Sequence, residues 1–414
     1  MATMKLPNRN LLFCMLYGKK LSAMKKLLLA LLFVFYTATL YAELPKARII
    51  VGPYLQAVTE TSFTVVWTTD HPTVSWVEVA PEDETHFYAE KRPRHYQTEH
   101  GKRSIGTIHR ITISNLQAGT TYRYRVFSQS VAESGKGGRI VLGGIASSRV
   151  YRREPLRATT LDHSKSQVKF RVVNDIHGRD SIMCALLRGV DRTNADFVVF
   201  NGDMTSTIES ETQIATGFLR SAAKQFGAEV PILFVRGNHE NRGHYSSQLI
   251  NYFPTTSGRY YYTFRQGPVF GVVLDCGEDK PDSDIEYYGL ADFDNYRTEE
   301  AAWLKKVVTS EAYRTAPLRI IFLHIPPVCG EIWHGTHEIR KKFMPLLQGT
   351  GVDLMLCGHL HKFYYVPVGK SEYDFPILIN SNNDAVHVVA EKNRLHVSVI
   401  DPAGHKVAEY DLKK

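Results

Sequence analysis

Five apolar, β-branched runs end just before a residue that can bind a metal, and this pattern restricts the fold more than anything else in the chain. The runs are Val168–Val173 before Asp175, Phe197–Phe200 before Asp203, Ile232–Val235 before Asn238, Ile320–Leu323 before His324 and Leu354–Leu356 before His359. Short apolar runs bounded by turn residues read as buried strands. In an open α/β sheet the carboxyl ends of such strands line one crevice. Asp175-Ile176-His177, Gly202-Asp203, Gly237-Asn238-His239-Glu240, His324 and Gly358-His359-Leu360-His361 can therefore converge although they lie far apart along the chain.

Imidazole and carboxylate without any thiolate motif suit Zn, Mn, Fe, Co or Ni better than Ca or Mg. A single His after a strand carries little weight in a chain with 17 His. The ordered set on successive strand ends is what carries the metal-site reading.

The order of these motifs resembles the calcineurin-like metallophosphoesterase superfamily. The resemblance implies an α/β four-layer sandwich, two mixed sheets flanked by helices, around a site for two divalent metal ions. By the same resemblance Asp175, His177 and His361 would hold the first ion, Asn238, His324 and His359 the second, and Asp203 would bridge them. A hydroxide shared by the metals would attack phosphorus. His239, with Glu240 as its orienting partner, would protonate the leaving oxygen. The purple acid phosphatases of the superfamily have Gly at the first-motif His and a metal-binding Tyr three residues after the second-motif Asp; here those places hold His177 and Ser206. The Tyr-to-iron colour is not expected, and the metal stays open among Zn, Mn and Fe.

From about Pro45 to Gln129 the chain reads as short alternating strands, with Phe63, Val65 and Trp67 on one face. Leu116-Gln117-Ala118-Gly119-Thr120-Thr121-Tyr122 is similar to the late strands of a fibronectin type III sandwich, with Tyr122 at a corner. Pro53-Tyr54-Leu55-Gln56 and Trp67-Thr68-Thr69 resemble the N-terminal domain of purple acid phosphatases. The expected organisation is a leader over 1–42, an all-β fibronectin type III-like domain over 43–150, a charged linker over 151–167 and the phosphoesterase domain over 168–414. Helical patterns occupy 181–191, 209–225, 298–308 and 338–347. The β runs after His361, at 376–380, 385–390, 395–401 and 406–412, are expected to complete a second sheet.

Met24-Lys25-Lys26, the apolar run Leu27–Tyr36 and Leu40-Tyr41-Ala42 have the layout of a signal peptide starting at Met24. The uncharged stretch 27–42 falls short of the ~20 residues that span a bilayer. A periplasmic or secreted protein without a transmembrane anchor after processing is expected. Residues 1–42 hold six Lys or Arg and no acid, which leaves 44 basic against 42 acidic residues and a net of +2 rather than the +8 of the whole chain. That balance gives no basic footprint for nucleic acid. Cys184, Cys276, Cys329 and Cys357 form no disulfide framework. Cys184 and Cys357 are expected as buried thiols, and a Cys276–Cys329 bridge stays open in an oxidising compartment.

Substrate choice on such scaffolds belongs to the loops. Arg242 and His244 after the third motif, and Trp333 and His334 after His324, are the candidate substrate contacts. The acidic segment 277–297 reads as a solvated flap, since its acids match no calcium-loop register. Tyr260-Tyr261-Tyr262 reads as strand with alternate rings buried. The function expected is hydrolysis of a phosphorylated small molecule, monoester or diester. The alternative is a non-enzymatic surface or glycan-binding protein on a phosphoesterase scaffold.

Overall fold

The computed structural model describes residues 46–148, 150 and 153–413, so the expected leader and signal peptide lie outside the described residues. The N-terminal part is β-rich and centres on one 19-residue strand, Phe63–Pro81. Its first half pairs with Ile49–Gln56 and Ile105–Ile113, its second half with Arg94–Tyr96 and Thr121–Ser134, and the register breaks between Thr68 and Thr73. Phe63, Val65, Trp67, Tyr124 and Val126 fill the core it encloses. Tyr122 is partly buried, and its hydroxyl accepts the Gln117 N–H at 3.0 Å, which ties the corner to the backbone.

The expected linker carries a strand. Leu156–Thr159 pairs antiparallel with Thr121–Ser134, burying Leu156 and Ala158 while Arg157 and Thr159 face outward. Four residues of alternation are too few to stand out among the charges around them.

The rest of the chain forms two mixed six-stranded sheets packed face to face, with helices outside. In the first, Ile232–Val235, Phe197–Asn201 and Gln167–Val173 run parallel, and Ala385–Glu391, Arg394–Ile400 and Lys406–Lys413 continue antiparallel. The second runs Tyr262–Gln266, Val269–Val273, Leu318–Phe322, Leu354–Cys357, Ile377–Ile379 and Tyr364–Val366. Phe170 and Phe197 of one sheet meet Phe264 and Phe322 of the other, the Phe170 and Phe322 rings 5.9 Å apart. Of the four β runs expected after His361, only the one at Ile377–Ile379 joins the second sheet, beside the short strand Tyr364–Val366; those from Ala385 onward extend the first. Alternation identifies a strand but not the edge it joins.

Asp180–Leu186 and the helical turns from Glu211 to Gly227 cover the first sheet, and Phe293–Thr309 and His334–Lys342 cover the second. The N-terminal domain docks on the first cover layer. Val51, Tyr54 and Val66 share a core with Phe218, Phe226 and Phe253. Tyr54 donates to the Tyr252 carbonyl at 2.7 Å and Tyr124 to the Ala228 carbonyl at 2.6 Å. Cys184, Cys276, Cys329 and Cys357 are all free thiols, so the Cys276–Cys329 bridge is not formed, and Cys184 is half-buried rather than buried. Tyr261 is buried between the half-buried Tyr260 and Tyr262, and the strand begins only at Tyr262. Among the described residues no helix is long and apolar enough to cross a membrane.

Candidate metal centre

Each strand end delivers its side chain through an unusual backbone turn. Asp175, His177, Asp203, His359 and His361 have φ of 52°, 48°, 55°, 71° and 56°, half of the non-glycine residues with positive φ among those described. Such conformations cost on the order of 1–3 kcal/mol each and persist only where neighbours enforce them. The enforcement is visible. Asp175 N–H donates to the Gly202 carbonyl at 2.9 Å, His177 N–H to that of Asp203 at 3.0 Å, and His359 N–H to Asp175 Oδ2 at 2.8 Å. Gly202 and Gly237 allow the loops to close: a Cβ on the first would overlap the His324 ring, and on the second the Asp203 carboxylate.

The loops bring all seven expected ligand residues together. His361 Nε2 lies 3.2 Å from Asp175 Oδ1 and 3.2 Å from His177 Nε2. Asn238 Oδ1 lies 3.1 Å from His359 Nδ1. Asp203 Oδ2 is 3.1 Å from His324 Nε2 and 3.9 Å from His177 Nε2, between the two groups. Donors held by one ion through bonds of about 2.1 Å sit roughly 3–3.5 Å apart, so these spacings suit metal ligation. Asp175, His177 and His361 make one cluster that could hold an ion, Asp203, His324 and His359 another, and His239 comes within the same range of His177 and Asp203.

Two atoms test the fit. His324 donates Nδ1–H to the Asn201 carbonyl at 2.7 Å, which aims the Nε2 lone pair into the cluster. That Nε2 and Asp175 Oδ1 are buried without an aligned hydrogen-bond partner. Buried polar atoms left this way call for a missing partner, here a cation. Charge points the same way. Burial opposes a proton on His324, yet the Asp203 and Asp175 carboxylates hold its pKa up at about 10. Burial drives His177 and His359 down to about 4, leaving them neutral as ligands must be.

His239 stands beside the cluster. Its Nδ1–H donates to the Ser206 carbonyl at 2.8 Å, its Nε2 lies 3.9 Å from Asp203 Oδ2, and its ring meets that of His177 edge-on at 4.8 Å. Glu240 does not orient it. The Glu240 carboxylate is buried and accepts the N–H groups of Asp203 at 2.8 Å, Met204 at 2.7 Å and Gly237 at 2.9 Å, so it ties two ligand loops together. His239–Asn241 is a tight helical turn in which successive side chains diverge. Ser206, where a purple enzyme has its Tyr, sets its hydroxyl 3.0 Å from His177 Nδ1.

The expected substrate contacts divide. Arg242 Nη1 lies 3.3 Å from both ring nitrogens of His239, so this side chain does reach the centre. His244 pairs with Glu209 at 2.8 Å and is 77% exposed. His334 pairs with Asp294 at 2.9 Å, and Trp333 is 44% exposed at the start of the His334–Lys342 helix. The segment 277–297 is no solvated flap at its base. Glu278 is buried and pairs with Arg242 at 2.9 Å, and Asp279 Oδ2 accepts from Asn238 Nδ2 at 3.4 Å. One signal was available: Val269–Val273 is a sixth apolar strand, and the acids follow its carboxyl end as the ligands follow theirs.

Residues 168–363 match the family model of the calcineurin-like phosphoesterases, and residues 51–151 match that of the purple acid phosphatase N-terminal domain. The chain carries a calcineurin-like phosphoesterase domain preceded by a purple acid phosphatase N-terminal domain. It is 23% identical over 287 residues to purple acid phosphatase 22 of Arabidopsis thaliana, a match covering 62% of this chain and 53% of the relative. It is 22% identical over 174 residues to the serine/threonine-protein phosphatase CPPED1 of Mus musculus, covering 40% of this chain and 53% of that protein. The chain thus spans about half the length of the curated relatives it matches. Among solved structures, GAP50, the anchor in the inner membrane complex of Plasmodium, aligns with a TM-score of 0.42 at 13% identity, over 60% of this chain and 89% of that one.

Proposed function

We propose that this chain is a metal-dependent hydrolase of phosphate esters. The observation that carries the reading is that Asp175 Oδ1 and His324 Nε2, 3.8 Å apart beside the Asp203 carboxylate, are both buried without an aligned hydrogen bond. Asp175, His177 and His361 would hold one ion, Asn238, His324 and His359 another, with Asp203 shared. When bound, two ions of Zn, Mn or Fe lower the pKa of water toward neutrality and offset phosphoryl charge.

The chain's own groups do the rest. Asp175 and Asp203 supply only two negative charges, so the loaded crevice favours an anion. The Ser206 carbonyl fixes the His239 proton on Nδ1, which leaves Nε2 facing the crevice to receive a proton and pass it to the leaving oxygen. Glu240 keeps the Asp203 and Asn238 loops at a fixed spacing. The substrate is a phosphorylated small molecule, and the signal-like leader over 1–42 supports action in the periplasm or outside the cell. The domain limits read best as a β domain running to Thr159, a tight connection, and a phosphoesterase domain from Gln167.

The test is hydrolysis of p-nitrophenyl phosphate and of its bis ester by metal-loaded protein and by Asn238→Ala. Turnover by the first and not the second is expected. Equal background from both would sink the assignment.

A further inference from the structure

We propose that Asp279 is a positioning residue of this centre: it holds the Asn238 amide with oxygen toward the ion and, through Arg242, steadies the His239 ring. The inference rests on the phosphoesterase reading above. An amide has two chemically opposite ends, and only its oxygen can bind a cation. Asn238 Oδ1 lies 3.1 Å from His359 Nδ1, while its Nδ2 faces Asp279 Oδ2 at 3.4 Å. An ionised carboxylate accepts and does not donate, so an Asn238 turned end for end would lose its partner at Asp279.

The other oxygen of the same carboxylate faces Arg242. Asp279 Oδ1 is 3.3 Å from Arg242 Nη2, and Glu278 accepts from Arg242 Nε and Nη2 at 2.9 and 3.1 Å. That grip leaves Arg242 Nη1 against His239 at 3.3 Å. The support is rigid. Gly335 N–H donates to the Asp279 carbonyl at 2.9 Å, and the buried Arg297 donates to the carbonyls of Cys276, at 2.9 Å, and Glu278. These clamps act on the backbone, so the Asp279 side chain can change while the loop stays in place.

The experiment compares the full chain with Asp279→Ala and Asp279→Asn, titrating metal-free protein with Mn²⁺ by calorimetry and measuring p-nitrophenyl phosphate turnover. Two ions per wild-type chain are expected. Asp279→Ala should weaken one of them by about 10- to 100-fold, as lost outer-shell partners do, and leave the other unchanged. Asp279→Asn restores an acceptor for Asn238 but no charge for Arg242, so it should recover the affinity and keep a lowered kcat at similar KM. Wild-type affinity at both sites in Asp279→Ala would overturn the role. So would an equal loss at both sites, with a lower melting temperature, that Asp279→Asn does not repair. A wild-type chain that binds no pair of ions would instead overturn the phosphoesterase reading itself.

Discussion

Asp203 Oδ2 lies 3.1 Å from His324 Nε2 and 3.9 Å from both His177 and His239, so one oxygen organises three imidazoles. His239 has its Nδ1 spent on the Ser206 backbone carbonyl, which leaves Nε2 as the ring nitrogen that faces Asp203. His239→Ala should keep both metals by elemental analysis and lower kcat by roughly 10² to 10⁴, the range for a lost general acid. Loss of metal in that variant would make His239 a ligand. A second histidine sets an acid limit on stability. Burial lowers His109 from 6.5 to about 4, beside Thr69 and Thr73 hydroxyls at 3.0 and 2.9 Å. The unfolded chain then binds more protons between those values, so stability is complete above pH 6.5 and falls as pH drops toward 4, by on the order of 3 kcal/mol. Urea midpoints should fall over that window, and His109→Gln should flatten part of the slope. At this scale the candidate ligands were legible because each stands at a strand end, all but His324 with a motif around it. The partners of Glu240 and Asp279 were not, since they come from loops remote in sequence.

Elements show why the motifs contain glycine. Gly237 approaches the Asp203 carboxylate so closely that no side chain fits, and both Asp203 and Glu240 are already fixed by backbone bonds. Gly237→Ala should therefore push the Asp203 and Asn238 loops apart, lowering metal content while the far-UV circular dichroism stays as in wild type. Retained metal would mean that the loops yield more than this packing implies. Most strand positions of the second domain were legible, because runs such as Ile320–Phe322 and Leu354–Cys357 are buried on both faces and read as unbroken apolar stretches, whereas Val269–Val273 and Tyr364–Val366 were not picked out. Sheet membership was not legible. The Ala385–Glu391 run alternates as an edge strand would in either sheet, and only its antiparallel pairing with Gln167–Val173 assigns it to the first.

Across the whole molecule, the two-domain order followed from the strand pattern and the family resemblance, but the contact between domains was not legible. Tyr54 is fully buried against Phe253, rings 6.4 Å apart, and donates to Tyr252 of the other domain. Tyr54→Ala should cost roughly 3–5 kcal/mol, as truncations of buried aromatic residues do. Fluorescence and circular dichroism should still report one shared transition, moved to lower urea; two separate transitions would show the domains to be independent. The connection between them is itself stitched down. Thr160 and Leu161 are buried, their N–H groups donating to the carbonyls of Thr120 at 3.1 Å and Thr59 at 2.9 Å. Among the described residues of this joint there is no slack tether for a hinge to use, so severing the peptide here should leave both pieces travelling as one particle.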